Sequence, residues 1–116
     1  MITREKLEEF RSSRREIAEI RAEIKKAELE GSGTRNGYTI AMYEAIAAER
    51  ADELERIEIE INHLESADHR RVLRMRYIDG LSIKAAARKM HYSERQTKRI
   101  LARAIEMIED AGETDR

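Results

Sequence analysis

The sequence predicts an all-α protein in which a long antiparallel coiled-coil hairpin is followed by a helix-turn-helix module. The 116 residues include no proline and only five aromatic side chains, so helix formers dominate and the core must be largely aliphatic. Apolar residues recur at steps of three and four through much of the first 65 positions, as on one face of a helix. A later basic stretch contains shorter helical segments that begin at serine caps.

Two long helices are expected on either side of a flexible polar loop at residues 31–37. Before the loop the apolar spacing is helical, with Ser13 at its one gap. After the loop the spacing continues for three and a half heptads, broken only by Arg50, as in a coiled-coil seam. The short loop predicts an antiparallel hairpin over residues 1–65. Arg50 either extends to solvent or pairs with a glutamate across the seam.

The second helix of the hairpin has apolar surface beyond its seam. Ile46 and Ile59 lie off the main stripe, and exposed isoleucines beside a seam are best explained by a further packed helix. That helix can come from this chain or from a second copy. We therefore expect the hairpin to form a homodimer or to dock a partner.

A change of spacing at Ser66 predicts a separate module over residues 66–111. Ser66 or Asp68 can cap its first helix, and the Asp79-Gly80 pair should end that helix. Ser82 can cap a second, shorter helix.

The turn and the last helix complete the expected helix-turn-helix. His91 stands where the turn requires a residue that tolerates positive φ. Ser93 and Gln96 form a predicted capping box at the start of the recognition helix, which is expected over residues 94–108. Residues 112–116 are expected to form a disordered tail.

A basic block coincides with this module. Residues 69–103 carry eleven Lys and Arg against two Asp and Glu, a net charge of +9, whereas the whole chain has a net charge of −1. Residues 1–68 are acidic, with a net charge of −6. A basic block on a helix-turn-helix predicts binding to double-stranded DNA.

The predicted DNA-binding side chains come from the last two helices. Those of the recognition helix should face the major groove or its phosphates, and those of the preceding helix should grip phosphate beside the groove. Gln96 can read adenine only if the capping box leaves its amide free. The set is Arg95, Gln96, Lys98, Arg99, Arg103, Lys84, Arg88 and Ser93, with Lys89 beside them.

Four arginines of the module's first helix have two open roles. They either extend the DNA footprint or pair with the acidic hairpin, and pairing is expected for at least half of them. They are Arg70, Arg71, Arg74 and Arg76.

Four short runs of the module follow one another in the order of a known pattern. They are Val72-Leu73-Arg74-Met75-Arg76-Tyr77, Asp79-Gly80-Leu81-Ser82, Ala86-Ala87 and the basic run from Arg95 to Ala104. In this order they resemble region 4 of bacterial sigma factors of the sigma-70 type. The whole layout is similar to small phage and prophage proteins with a sigma-like helix-turn-helix. The resemblance implies DNA binding and, for some members, control of late phage transcription.

The resemblance has two limits. The promoter-reading positions of true sigma factors are not reproduced, so no promoter sequence is implied. Residues 1–65 do not resemble the other sigma regions, which excludes a complete sigma factor.

Catalysis and membrane insertion are not indicated. The chain has no cysteine, no phosphate-cradling glycine loop and no histidine-based triad, so no enzyme activity, cofactor or metal site is predicted. It has neither a signal-like N-terminal run nor an apolar segment of 18 residues, so a cytoplasmic location without membrane contact is expected.

The sequence therefore predicts a dimeric transcription regulator of phage or prophage type, with RNA polymerase as a possible further partner. Two alternatives stay open. A DNA-packaging adaptor similar to a small terminase subunit would join the same module to ring-forming helices. A protein-interaction module would use the acidic hairpin to bind polymerase without contacting DNA.

Overall fold

A computed structural model gives the backbone of residues 2–114 and the side chains of residues 2–111. The fold is mostly helical, with long packed helices followed by a helix-turn-helix module, which confirms the predicted class. In chain order the elements are α1 (Arg4–Phe10), α2 (Ser13–Leu29), β1 (Thr34–Arg35), β2 (Tyr38–Thr39), α3 (Ile40–Asn62), α4 (Ala67–Leu73), a π-helical segment (Arg74–Ile78), α5 (Ile83–Met90) and α6 (Glu94–Thr114).

Helices α2 and α3 form the antiparallel hairpin. Their seam is polar at one level, where Arg50 Nη1 lies 2.6 Å from Glu16 Oε2, so Arg50 pairs across the seam rather than extending to solvent. The other buried side chains of the seam are apolar, and two of them are alanines that let the helices approach closely. They are Ile17 and Ala27 of α2 and Tyr43, Ala47, Ile57 and Ile61 of α3.

The tip of the hairpin, predicted as a loop at residues 31–37, contains a short β-hairpin. Strands β1 and β2 pair antiparallel around Asn36 and Gly37, which have φ of 54° and 80°. Positive φ at both turn residues matches the twist of the flanking strands, and Asn-Gly is the dipeptide that adopts it most readily. A β-turn therefore forms where glycine content alone suggests an irregular loop.

Arg35 ties this tip to α2. Its guanidinium bonds to the Glu23 carboxylate and lies 2.9 Å from Glu30 Oε1. The bond from Arg35 lowers the pKa of Glu23 and raises that of Arg35 itself. Both groups therefore stay charged throughout the physiological range.

Helix α1 departs from the predicted hairpin. The chain does not form one continuous first helix, because it bends at Arg11 and Ser12 and α1 packs against the π-helical segment. The Ser12 hydroxyl donates to Glu16 Oε1 at 2.9 Å at the start of α2. The backbone N–H of Arg4 donates to Glu109 Oε1 at 3.0 Å, which fixes the start of α1 beside α6.

One hydrophobic core joins α1, the end of α3 and the C-terminal module. Because α1 and α3 contribute to this core, the hairpin and the module are packed together rather than linked by a tether. The buried members are Leu7, Phe10, Ile57, Ile61, Leu64, Val72, Leu73, Tyr77, Ile78, Met90, Ala104, Ile105 and Ile108.

The π-helical segment explains how consecutive residues enter this core. The N–H of Asp79 donates to Arg74 O at 2.9 Å, so the turn holds one more residue than an α-helical turn. The wider turn buries both Tyr77 and Ile78, which are 1% and 2% exposed. The Tyr77 hydroxyl donates to Glu8 Oε1 of α1 at 3.2 Å.

The turn after this segment supports the bend between α1 and α2. Gly80 has φ of +71°, and a Cβ there would lie 3.0 Å from Arg11 O. Beside it, Arg14 Nη1 lies 2.8 Å from Asp79 Oδ1. The turn at Asp79 and Gly80 therefore packs against the bend between α1 and α2.

The last helix is longer than expected. Helix α6 continues past Gly112 to Thr114, so the predicted disordered tail at residues 112–116 begins inside a helix, and its last two residues lie outside the described part of the chain. Among residues 2–114, every helix is too short or too polar to cross a bilayer.

Replacing Gly80 with alanine is expected to lower the free energy of unfolding by more than the roughly 1–2 kcal/mol cost of a left-handed residue, because the new Cβ also presses on Arg11 O. Urea denaturation measures this change. Gly37→Ala is the matched control, since Gly37 has φ of +80° but open space around it, and Gly33→Ala has neither problem. A Gly80→Ala cost no greater than the Gly37→Ala cost would show that the contact with Arg11 does not matter.

Stability should fall at alkaline pH through Tyr77. Burial, with Glu8 beside the hydroxyl, raises the pKa of Tyr77 to about 12, against about 10 in the unfolded chain. The folded state therefore holds the phenol proton more tightly, and this stability is complete below pH of about 10 and lost as pH rises towards 12. The loss is up to about 2–3 kcal/mol. Urea denaturation from pH 8 to 11.5 should show a steeper decline for the wild type than for Tyr77→Phe, while Tyr38→Phe at an exposed site should follow the wild type.

Candidate nucleic-acid interface

Helix α5 is short and well delimited. Ser82 Oγ accepts from Ala85 N at 3.1 Å at its start. His91 ends it with φ of 60° and ψ of 35°, which confirms the predicted left-handed turn residue. Ala86 and Ala87 are buried, and their small side chains let α6 cross α5 closely.

The first turn of α6 shows half of the predicted capping box. Ser93 Oγ accepts from Gln96 N at 3.1 Å, as expected. The side-chain amide of Gln96 makes no hydrogen bond to any residue in the described part of the chain, so the reciprocal bond is not formed. Thr97 is fully buried, and its hydroxyl donates to Ser93 O at 2.8 Å. The Gln96 amide is therefore exposed and available to a ligand.

The polar face of α6 presents a row of arginines. Arg95, Arg99 and Arg103 are exposed and lie four residues apart, so they form one stripe on the helix. The stripe lies opposite the buried face that contains Thr97 and Ala104. Gln96 flanks this stripe, and Ser93 lies at its N-terminal end.

Lys98 does not lie in the centre of this face. It lines a groove between α6 and α1 together with Arg4, Glu8 and Arg76. It is exposed, but it sits on the side of α6 that faces α1. The structure therefore brings together Arg95, Gln96, Arg99 and Arg103 of the predicted α6 set and places Lys98 at their margin.

The arginine stripe ends at an acidic boundary. Arg103 Nη1 lies 2.9 Å from Glu106 Oε2, one turn further along the same face. A phosphate near Arg103 would have to compete with this carboxylate. The strongest cationic part of α6 is therefore its first two turns, around Arg95 and Arg99.

Helix α5 adds a second cationic row. Lys84 and Arg88 lie four residues apart and share one face, with Lys89 next to them. All three side chains are exposed, and none forms an ion pair with residues 2–111. They are therefore free to bind an anion beside the recognition helix.

The four arginines of the module's first helix make structural bonds. Two of the four, Arg70 and Arg74, bond to the end of the hairpin as expected for half of them, but each donates to a neutral oxygen and not to a carboxylate. Arg70 Nη1 donates to Leu64 O at 2.6 Å and to Glu65 O at 2.8 Å, in the link between α3 and α4.

The other three arginines bond within the module or to the end of α3. Arg71 Nη2 donates to Lys89 O at 3.3 Å, at the C-terminal end of α5. Arg74 Nη1 donates to Asn62 Oδ1 at 3.4 Å, and Arg76 Nη1 donates to Leu81 O at 2.9 Å. Hydrogen bonds to carbonyl oxygens therefore explain these arginines better than charge pairing does.

A tyrosine bond holds the turn between α5 and α6 against α4. The Tyr92 hydroxyl donates to Asp68 Oδ2 at 2.7 Å. The Asp68 carboxylate raises the pKa of Tyr92, first through this bond and then through its charge. With Arg71 on Lys89 O, α4 thus holds the turn at two points and orients α6. Ser66 Oγ caps α4, which leaves the Asp68 carboxylate for Tyr92, a pair that no local pattern in the sequence indicates.

This module corresponds to a known family. Residues 66–108 match the family model of Sigma-70, region 4. This part of the chain is therefore a sigma-70 region 4 domain, a non-catalytic helix-turn-helix module of a kind that binds DNA.

The match does not extend to the rest of the chain. Helices α1, α2 and α3 lie outside it, although α1 and α3 complete the hydrophobic core of the module. No curated protein and no solved structure matches the chain.

The bond between Tyr92 and Asp68 can be tested by a double-mutant cycle. Tyr92→Phe and Asp68→Asn should each loosen the turn, seen as a lower thermal midpoint and faster amide exchange near residues 88–93. The double variant should be no worse than the more severe single variant, because both changes remove the same bond. Additive losses would show that the two side chains act independently.

Proposed function

We propose that the protein is a DNA-binding transcription regulator that places the N-terminal half of α6 in the major groove. The observation that carries this proposal is the exposed cationic surface of α5 and α6 on a sigma-70 region 4 domain. This surface, termed the basic face below, consists of Lys84, Arg88, Lys89, Arg95, Gln96, Arg99 and Arg103, with Ser93 and Lys98 at its margins.

The two rows of the basic face suit different parts of a duplex. Arg95 and Arg99 project from the first two turns of α6, where a recognition helix contacts base edges. An arginine can make two hydrogen bonds to one guanine, and the free amide of Gln96 can do the same to adenine. Lys84 and Arg88 on the neighbouring helix are placed to hold phosphate, which sets the register of the protein on the duplex.

The acidic hairpin limits where DNA can bind. Helix α3 carries seven Asp and Glu against two Arg, a net charge of −5. Phosphate is repelled by such a surface, so duplex DNA should approach from the side of α5 and α6 alone.

We further propose that the protein acts as a homodimer. The hairpin is only two helices thick, and Ile20, Ile24 and Leu54 are only partly buried between α2 and α3. A second copy can bury such residues in a four-helix bundle. A phage or prophage setting and a contact with RNA polymerase are finer proposals, which rest on the similarity of the layout to phage proteins.

Binding to a random duplex should depend steeply on salt. About seven phosphate contacts give a slope near −6 for log affinity against log salt. Arg95→Ala/Arg99→Ala should weaken binding at least about tenfold. A lost base contact costs about 1–3 kcal/mol, and a lost phosphate contact lowers the slope by about one. Fluorescence anisotropy from 50 to 300 mM salt measures both quantities.

The matched control is Arg15→Ala/Lys25→Ala. It removes the same charge from exposed positions on α2, far from the basic face, and should leave the slope unchanged. Equal weakening by both double variants would show that only net charge matters. If the wild type does not bind duplex DNA even at low salt, the proposal is wrong and the acidic hairpin becomes the candidate site for a protein partner.

A further inference from the structure

One face of the hairpin carries a groove with rims of opposite charge. The groove has a volume of about 250 Å³ and runs between α2 and α3 next to the module. Its floor is apolar, formed by Ile17, Ala51 and Leu54. The rim on α2 is cationic, with Arg14 and Arg21, and the rim on α3 is anionic, with Glu55 and Glu58.

Most of these rim charges are not used inside the molecule. Arg14 pairs with Asp79 of the module. Arg21, Glu55 and Glu58 form no ion pair with any other residue from 2 to 111. The groove is thus a partly apolar strip between a free cationic side and a free anionic side.

The opposite face of the hairpin is less suited to self-association. Met42 lies there and is 47% exposed. However, Glu49, Glu53 and Glu60 surround it on the same side of α3. Two copies packed through that face would bring these carboxylates together, and such like-charge contacts oppose association.

We propose that a second copy of this chain packs its groove against this groove, forming a two-fold symmetric four-helix bundle. The inference specifies the surface of the homodimer proposed above, and it does not depend on DNA binding. An interface of this kind must be self-complementary, because the same surface is used by both copies. A strip with one cationic and one anionic side meets that requirement.

The charges also select the direction of the two-fold axis. An axis along the hairpin places α2 of one copy against α3 of the other, so the cationic rim of each groove faces the anionic rim of the other. An axis across the hairpin places α3 against α3 and brings the two anionic rims together. The first arrangement is therefore favoured, and the two hairpins lie parallel.

Parallel hairpins bring both DNA-binding modules to the same end of the dimer. Each module then presents its own α6, related to the other by the two-fold axis. Such a dimer suits an inverted repeat, in which half-sites lie one or more helical turns apart.

The first test is the oligomeric state of charge-reversal variants by sedimentation equilibrium. The wild type should be a dimer. Arg21→Glu and Glu55→Arg should each weaken the dimer at least about tenfold, because each change places like charges together twice in a two-fold interface. The combined variant should regain most of the lost affinity.

Glu49→Arg on the opposite face of α3 is the matched control and should leave the dimer unchanged. Both reversed residues, Arg21 and Glu55, are exposed, so the fold should persist, and circular dichroism verifies this for every variant. A monomeric wild type at 100 μM, a ring larger than a dimer, or a dimer that responds only to Glu49→Arg would each overturn the proposal.

The second test measures the direction of the axis. The chain has no cysteine, and Gly33 at the hairpin tip has open space around its Cβ, so a spin label on Gly33→Cys reports the distance between tips. The tip lies roughly 20 Å from the groove along α2. Parallel hairpins should place the labels within about 25 Å, and antiparallel hairpins at about 40 Å. The longer distance would overturn the parallel arrangement.

The two proposals can fail separately. Arg95→Ala/Arg99→Ala should remain dimeric while losing DNA affinity. Arg21→Glu should retain the salt-dependent binding of a monomer to random duplex. Loss of DNA binding with an intact dimer would therefore count against the proposed function and not against this interface.

Discussion

The shared hydrophobic core is the interaction on which the other features depend. A sigma-70 region 4 domain accounts for residues 66–108, yet Leu7 and Phe10 of α1 and Ile57 and Ile61 of α3 are buried in the same core. Burial of these four apolar side chains is the main interaction that holds the module to the hairpin. Because the hairpin and the module share this core, the fold sets the orientation of α6 relative to α2 and α3. Any partner held by the hairpin thus stands in a defined position relative to DNA.

Polar contacts then refine what the core positions. Asp68 and Arg71 of α4 hold the turn before α6, while Gly80 lets the following turn approach the backbone of Arg11. None of these contacts uses the cationic side chains of the basic face. The structural arginines of α4 and the π-helical segment and the exposed arginines of α6 are thus separate sets. The acidic hairpin and the carboxylate of Glu106 bound the surface that a phosphate backbone can reach.

Periodic features of the sequence were sufficient to predict the fold class, the hairpin and the caps at Ser82 and Ser93, because helix spacing and capping are local properties. Two departures have non-local causes. The bend at Ser12 follows from the burial of α1 on the module, which no local pattern shows. The four arginines of the first module helix bond to carbonyl groups that only the folded chain brings near. For the site, helix spacing gave the stripe of Arg95 and Arg99 but could not show that Lys98 faces α1.

Amide chemical-shift mapping of the ¹⁵N-labelled protein during titration with duplex DNA tests the account most directly. Shifts should concentrate in α5 and the first two turns of α6, from Lys84 to Arg99, while α2 and α3 change little. The shifts should disappear as salt is raised, because they report contacts that displace counterions from phosphate. Shifts that instead concentrate on the acidic face of α3, or a spectrum unchanged by DNA at low salt, would contradict it.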